Sequence, residues 1–150
     1  MTLTIAQESP LSEDAATLLN GSEAALRAAY DINDCSSYNA EQLNADTIRF
    51  FVARLSGRPV GCVALCAEDG YGEIKRLFTI PDVRGQGVAK ALVAHLEEAA
   101  RAAGLPCILL ESGSKLDAAV ALYDAQGYIR RGAFGDYTQG DTTVFMEKRL

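Results

Sequence analysis

The stretch from Tyr71 to Lys90, YGEIKRLFTIPDVRGQGVAK, constrains this chain more than any other. An apolar run, Ile74 to Ile80, reads as a strand and meets Pro81, which has no N–H to give to a ladder. The small-residue loop Arg84-Gly85-Gln86-Gly87-Val88-Ala89 follows. Leu92, Leu96 and Ala99 then mark the apolar stripe of a helix of about 18 residues. A strand feeding such a turn leaves backbone N–H groups without intrahelical acceptors at the helix start. Those donors, with the positive end of the helix dipole, make a site for phosphate. Gly85 and Gly87 let the backbone approach a pyrophosphate without a Cβ in the way, and Arg84 adds a permanent charge suited to phosphate oxygens.

Two familiar phosphate loops do not fit. There is no G-x-G-x-x-G with an acid about 20 residues on, and no G-K-[ST]. Arg84-x-x-Gly87-x-Ala89 instead matches [Q/R]-x-x-G-x-[G/A]. It resembles the acetyl-CoA pyrophosphate loop of the GNAT N-acetyltransferase superfamily. A second element of that family, Ala119-Val120-Ala121-Leu122-Tyr123 followed by Gly127-Tyr128, lies downstream, with Tyr123 34 residues after Ala89. The resemblance covers roughly Arg49 to Leu150; the first 45 residues match only in their pattern of elements.

Composition sets the wider bounds. At 150 residues the chain is expected to form one domain spanning 1–150 and to bury about two-thirds of its unfolded surface. Hydrophobic residues make up 49% with no long uncharged run, which argues against a membrane span. MTLTIAQESP lacks a basic residue before a long apolar core, so no secretory signal is expected. Cys35, Cys62, Cys66 and Cys107 form no zinc spacing, and most read as small apolar core residues of a reducing cytoplasm. His95 is the sole histidine and sits in an amphipathic helix, so no metal site is expected. A net charge of −6 argues against nucleic acid as a partner and suits a cationic amine.

Along the chain, Thr2 to Gln7 reads as a strand. Ser9-Pro10 reads as an N-cap and N1 pair for a helix from Leu11 to Leu19. Asn20-Gly21 is expected to break it, with Ser22 capping a second helix to Tyr30. Residues 31 to 46 read as loop with a short helical turn. Thr47 to Leu55 and Arg58 to Cys66 form a hairpin across Ser56-Gly57, and Asp69-Gly70 turns into the strand Tyr71 to Ile80. Cys107 to Glu111, a helix Asp117 to Ala125, and strands Tyr128 to Ala133 and Thr142 to Lys148 complete the order. That order is the one the resemblance implies: a mixed α/β GNAT fold, with a twisted mixed sheet of about seven strands flanked by about four helices.

The resemblance also implies a chemistry, in which an amine attacks the thioester of bound acetyl-CoA directly. The backbone of Arg84 through Ala89 would hold the pyrophosphate, and Leu77, Phe78 and Thr79 would pair with the pantetheine arm as an added strand does. Strands ending near Thr79 and Glu111 would splay apart, exposing a backbone N–H near Phe78 or Thr79 as an oxyanion donor. Tyr123 would be the general acid for the leaving thiolate; the alternative is an aromatic residue packed on a helix. Glu73 would be the general base, the alternative being a pairing with Lys75 or Arg76, and Glu111 is the competing carboxylate. The asparagine many members carry seven residues before the tyrosine is Leu116 here, so Lys115 or Ser114 would have to substitute. Tyr30, Tyr38, Phe50, Asp136 and Tyr137 are the candidates for lining the acceptor pocket. The acceptor would be a small-molecule or peptide amine, and a homodimer is common in the family. Two other readings remain open at this point: an acyl-CoA-binding regulatory module without turnover, and a transferase of a longer acyl group.

Overall fold

The structure is a computed structural model describing residues 2–29 and 38–150. Among them, in chain order, are β1 (Leu3–Gln7), α1 (Glu13–Ala29), α2 (Ala40–Leu43), β2 (Ile48–Leu55), β3 (Arg58–Glu68) and β4 (Tyr71–Thr79). A 3-10 turn at Pro81–Val83 then leads to α3 (Val88–Ala102), β5 (Cys107–Gly113), α4 (Asp117–Ala125), β6 (Ile129–Arg131) and β7 (Thr143–Arg149). The seven described strands make one sheet in the order β1-β2-β3-β4-β5-β7-β6. All neighbours are antiparallel except β4 and β5, whose parallel pairing requires the crossover through α3. The mixed sheet with helices on both faces is the architecture the sequence led us to expect.

Period-two alternation explains why the central strands read as continuous apolar runs. Phe51, Ala53, Val63 and Leu65 face Leu92, Val93, Leu96 and Ala100 of α3. Their neighbours Phe50, Val52, Cys62 and Ala64 face Ala15, Leu18 and Leu19 of α1 and Leu43 of α2. A sheet covered on both faces has no reason to alternate polar with apolar. His95 lies within α3 and meets Phe51 edge-on, with ring centroids 4.9 Å apart.

Three expectations at the amino end are corrected. The first helix starts at Glu13, not Leu11: Ser12 Oγ accepts from Ala15 N–H, whereas Ser9 Oγ accepts from Leu11 N–H outside the helix. Asn20-Gly21 does not break the helix, which runs unbroken from Glu13 to Ala29, and Ser22 is a buried mid-helix residue rather than a cap. Gly21 is there for space, because a Cβ at that position would lie 2.9 Å from Phe78 Cζ. The short helical turn expected within 31–46 is α2, fixed by a capping box in which Asn39 and Gln42 each accept the other's backbone N–H. Tyr30 and Cys35 lie outside the described residues.

Candidate active site

Parallel pairing of β4 and β5 covers only Gly72–Ile108, Glu73–Leu109 and Ile74–Leu110. Beyond those pairs β4 continues to Thr79 and β5 to Gly113, so the two strands diverge and open a gap in the sheet. The divergence begins at an irregularity on the other side of β4, where the register with β3 shifts between Cys62 and Ala64. Two residues of β4 there oppose one of β3, which is the pattern of a bulge. Arg76 takes the left-handed conformation at φ 59, a strain of about 1–3 kcal/mol for a non-glycine residue. Its buried guanidinium donates to the Leu19 and Tyr38 carbonyls at 3.0 and 2.9 Å, which ties the bulge to α1 and to the segment before α2.

The same register determines which amides face the gap. Ile80 N–H bonds to Val60 C=O across the β3 edge. In an antiparallel ladder the N–H groups alternate sides, so Phe78 N–H also turns toward β3. Thr79, between them on the regular part of the ladder, turns its own toward the space that β5 has left. The expectation of a donor near Phe78 or Thr79 thus narrows, and Phe78 is set aside. The Phe78 side chain is buried against α1, close to Gly21.

The gap widens into a cleft of about 890 Å³. At one end the 3-10 turn delivers Arg84, and Gly85 and Gly87 adopt φ 82 and 84. Gly87 is the N-cap of α3, and the first intrahelical bond runs from Ala91 N–H to Gly87 C=O. The amides of Val88, Ala89 and Lys90 therefore have no acceptor within the helix. Arg84, Gly85, Gly87, Val88, Ala89 and Lys90 all line the cleft. Gln86 does not: its side chain folds back to the Asp82 carbonyl at 3.4 Å. This end can hold a phosphate through backbone donors, a helix dipole and nearby cations.

The opposite end carries a tight polar cluster. Tyr137 Oη donates to Glu73 Oε2 at 2.6 Å and accepts from Lys75 Nζ at 2.7 Å, while Lys75 Nζ also sits 3.1 Å from the same carboxylate oxygen. The ammonium lies 4.4 Å from the centroid of the Tyr38 ring. Burial alone would lower Lys75, but the Tyr137 hydrogen bond and the Glu73 carboxylate outweigh it and hold the ammonium well above its ordinary value. Burial pushes the Tyr137 phenol up as well, reinforced by Glu73. Glu73 is thus the anionic partner of a permanent cation, the pairing with Lys75 weighed from sequence. Glu111, one strand over, opens onto the cleft. It keeps contact with solvent, yet partial burial raises its carboxyl above the ordinary value, Lys75 opposing and Glu73 adding to the effect.

Tyr123 stands on α4, is 5% exposed and lines the same cleft. Burial raises its phenol well above the ordinary value. Leu116, which replaces the expected asparagine, caps α4 without a side-chain bond, and both Leu116 and Lys115 line the cleft. Ser114 Oγ instead donates to the Asp141 carbonyl.

The structure gathers Glu73, Leu77, Phe78, Thr79, Arg84, Gly85, Gly87, Val88, Ala89, Tyr123, Tyr38 and Tyr137 around one cleft. Phe50 is 2% exposed and packs beneath α1, because its parity on β2 turns it to the α1 core. Asp136 is exposed on the loop before β7 and does not reach the cleft. Both acceptor-lining expectations are corrected accordingly. Lys75 at the centre of this polar cluster, and Lys90 and Thr143 on the cleft wall, are not among the site residues expected from sequence. Period two from Glu73 places Lys75 on the same face, and that was the available signal.

Residues 17–128 match the model of the acetyltransferase (GNAT) family. A relative from Azospirillum brasilense, an IAA acetyltransferase, is 41% identical over 150 residues, covering 99% of this chain and 98% of that protein. Among solved structures, a Klebsiella pneumoniae chain assigned as an acyl-CoA N-acyltransferase superposes with a TM-score of 0.83 at 32% identity, covering 99% of this chain and 98% of its own. The PaiA N-acetyltransferase of Thermoplasma acidophilum, solved with coenzyme A, shares the fold at TM-score 0.79 and 19% identity over 100% of both chains. The chain belongs to the GNAT acetyltransferase family and is an acetyl-CoA-dependent N-acetyltransferase.

Proposed function

We propose that the cleft moves acetyl from CoA to a primary amine in a single direct attack, with Glu111 taking the proton from the incoming ammonium and Tyr123 protonating the departing sulfur. The observation that carries this reading is the gap between β4 and β5, with a phosphate-binding helix start at one end and a carboxylate open to the cleft at the other. The pyrophosphate lies on the amides of Val88 to Lys90 beside Arg84, and the pantetheine arm bonds along Leu77 to Thr79 as a strand would. The amide of Thr79, turned toward the gap, receives the carbonyl oxygen as it gains charge.

An amine of pKa near 10 is about 0.1% neutral at pH 7, so it must lose a proton before it can attack. Glu73 is a poor acceptor for that proton because Lys75 and Tyr137 already occupy it. Glu111 is raised and open to the cleft, and it serves as the base. Attack forms the C–N bond and a tetrahedral oxyanion. Collapse breaks C–S, Tyr123 gives its proton to sulfur, and the proton shed by nitrogen restores the phenol. A buried phenol with a raised pKa stays protonated at neutral pH and recovers its proton readily. The test is turnover read as free thiol across a panel of primary amines. Glu111→Gln should lower kcat about a hundredfold with acetyl-CoA affinity unchanged, and an unaltered kcat in that variant would remove Glu111 from the role.

A further inference from the structure

We propose that a buried network of Glu97, Tyr128 and Lys148 is the positioning device for the Tyr123 phenol, a reading that rests on Tyr123 as the acid. Glu97 lies on α3 among fully buried Val93, Leu96 and Ala100 and is itself 5% exposed. A carboxylate on the apolar stripe of a helix is costly unless its oxygens are satisfied. Here each oxygen has its own donor: Tyr128 Oη donates to Oε2 and Lys148 Nζ to Oε1, both at 2.9 Å. The chemistry of transfer uses none of these three groups.

What they reach is Tyr123. The Tyr128 ring meets the Tyr123 ring edge-on at 5.5 Å and an interplanar angle of 60°. The two residues are also joined through the backbone, where Tyr128 N–H donates to Tyr123 C=O at 3.0 Å across the left-handed Gly127. Tyr123 itself is held in place by packing. Its orientation is therefore inherited from Tyr128, whose own phenol is pinned by Glu97. Burial raises Tyr128 first, and the Glu97 charge and hydrogen bond raise it further, so the phenol remains the donor at any working pH. Because Glu97 belongs to α3, the helix that begins at the phosphate site and the helix that carries the acid are locked to each other. A displacement of the acid by about 1 Å is enough to cost one to two orders of magnitude in rate.

The test uses the full chain labelled with 3-fluorotyrosine, the Tyr123 resonance being assigned by its loss in Tyr123→Phe. Tyr128→Phe and Glu97→Gln should each shift and broaden that resonance. In thiol-release kinetics with the fastest amine of a panel, Tyr128→Phe should lower kcat about tenfold while the Kd for acetyl-CoA stays within about twofold. In a Tyr123→Phe background the same substitution should cost nothing further, as two groups acting in series require. An unchanged Tyr123 resonance, or a loss in kcat that persists undiminished without the Tyr123 hydroxyl, overturns the proposal. If Tyr123→Phe alone leaves kcat intact, the acid assignment falls, and the resonance still decides whether the network positions the ring. Lys148→Met, which withdraws a donor from the rim, replaces Tyr128→Phe if that variant does not fold.

Discussion

Gly21→Ala separates two forces that act on one position with opposite signs. Inside an exposed helix the change would stabilise by about 1 kcal/mol, because alanine loses less backbone entropy than glycine. Here the added Cβ would lie 2.9 and 3.0 Å from two ring carbons of Phe78, closer than carbon atoms pack. The ring is 9% exposed and belongs to the same buried cluster as Leu18, Leu43, Phe50 and Val52, which limits how far it can move aside. Overpacking of this kind costs about 1–3 kcal/mol, which outweighs the propensity gain and leaves a net loss of about 1 kcal/mol. For a chain of 150 residues that is a fall of about 3 °C in Tm. Phe78 also borders the cleft, so acetyl-CoA affinity should weaken in parallel. The decisive comparison is a double-mutant cycle by urea denaturation. In a Phe78→Leu background the ring edge is gone, and Gly21→Ala should then stabilise by about 1 kcal/mol. A Gly21→Ala protein more stable than the parent in the native background would show that the contact does not control this position.

Further outcomes follow from the site. Arg84→Glu or Gly87→Asp should abolish acetyl-CoA binding in a calorimetric titration, the first by reversing a charge and the second by forcing a side chain to φ 84 against a phosphate. Tyr123→Phe should lower kcat at least tenfold with little change in acetyl-CoA Kd, as expected for a group that acts on the leaving sulfur. The raised Glu111 carboxyl holds its proton to a higher pH than the ordinary 4.5, and only the ionised form accepts a proton from the amine. The kcat/KM profile should therefore fall as pH drops through a value above 4.5, and Glu111→Gln should flatten that limb. Burial pushes the Cys62 and Cys66 thiols up to about 12, so neither should react with iodoacetamide at pH 8 until the protein unfolds.

Much of this molecule is legible in its sequence because local patterns and global packing agree there. The strand, proline, glycine loop and helix from Tyr71 onward each carry their own signal, and so do the hairpin at Ser56-Gly57 and the helix ending before Gly127. Asn20-Gly21 misleads because a glycine needed for tertiary clearance looks the same as one needed for a turn. Phe50 misleads for a related reason: on a strand buried on both faces, sequence gives the period but not which parity meets the cleft. The Glu73–Lys75–Tyr137 cluster joins residues more than sixty positions apart, and no spacing rule connects a strand to a distant loop. The register slip at Arg76 is equally silent, since nothing about an arginine announces a left-handed backbone.

Among the described residues, three parallel rungs, Gly72–Ile108 to Ile74–Leu110, carry the backbone pairing between the β1–β4 half of the sheet and the β5–β7–β6 half. In mechanical terms the sheet has a seam, and on the proposed binding mode the pantetheine arm would be the thread that closes it. A tension applied across β4 and β5 should rupture the empty protein at the seam first. With the cofactor bound as proposed, part of the load would pass through hydrogen bonds that belong to the ligand. Donor occupancy would then be readable as stiffness, before any acetyl group has moved.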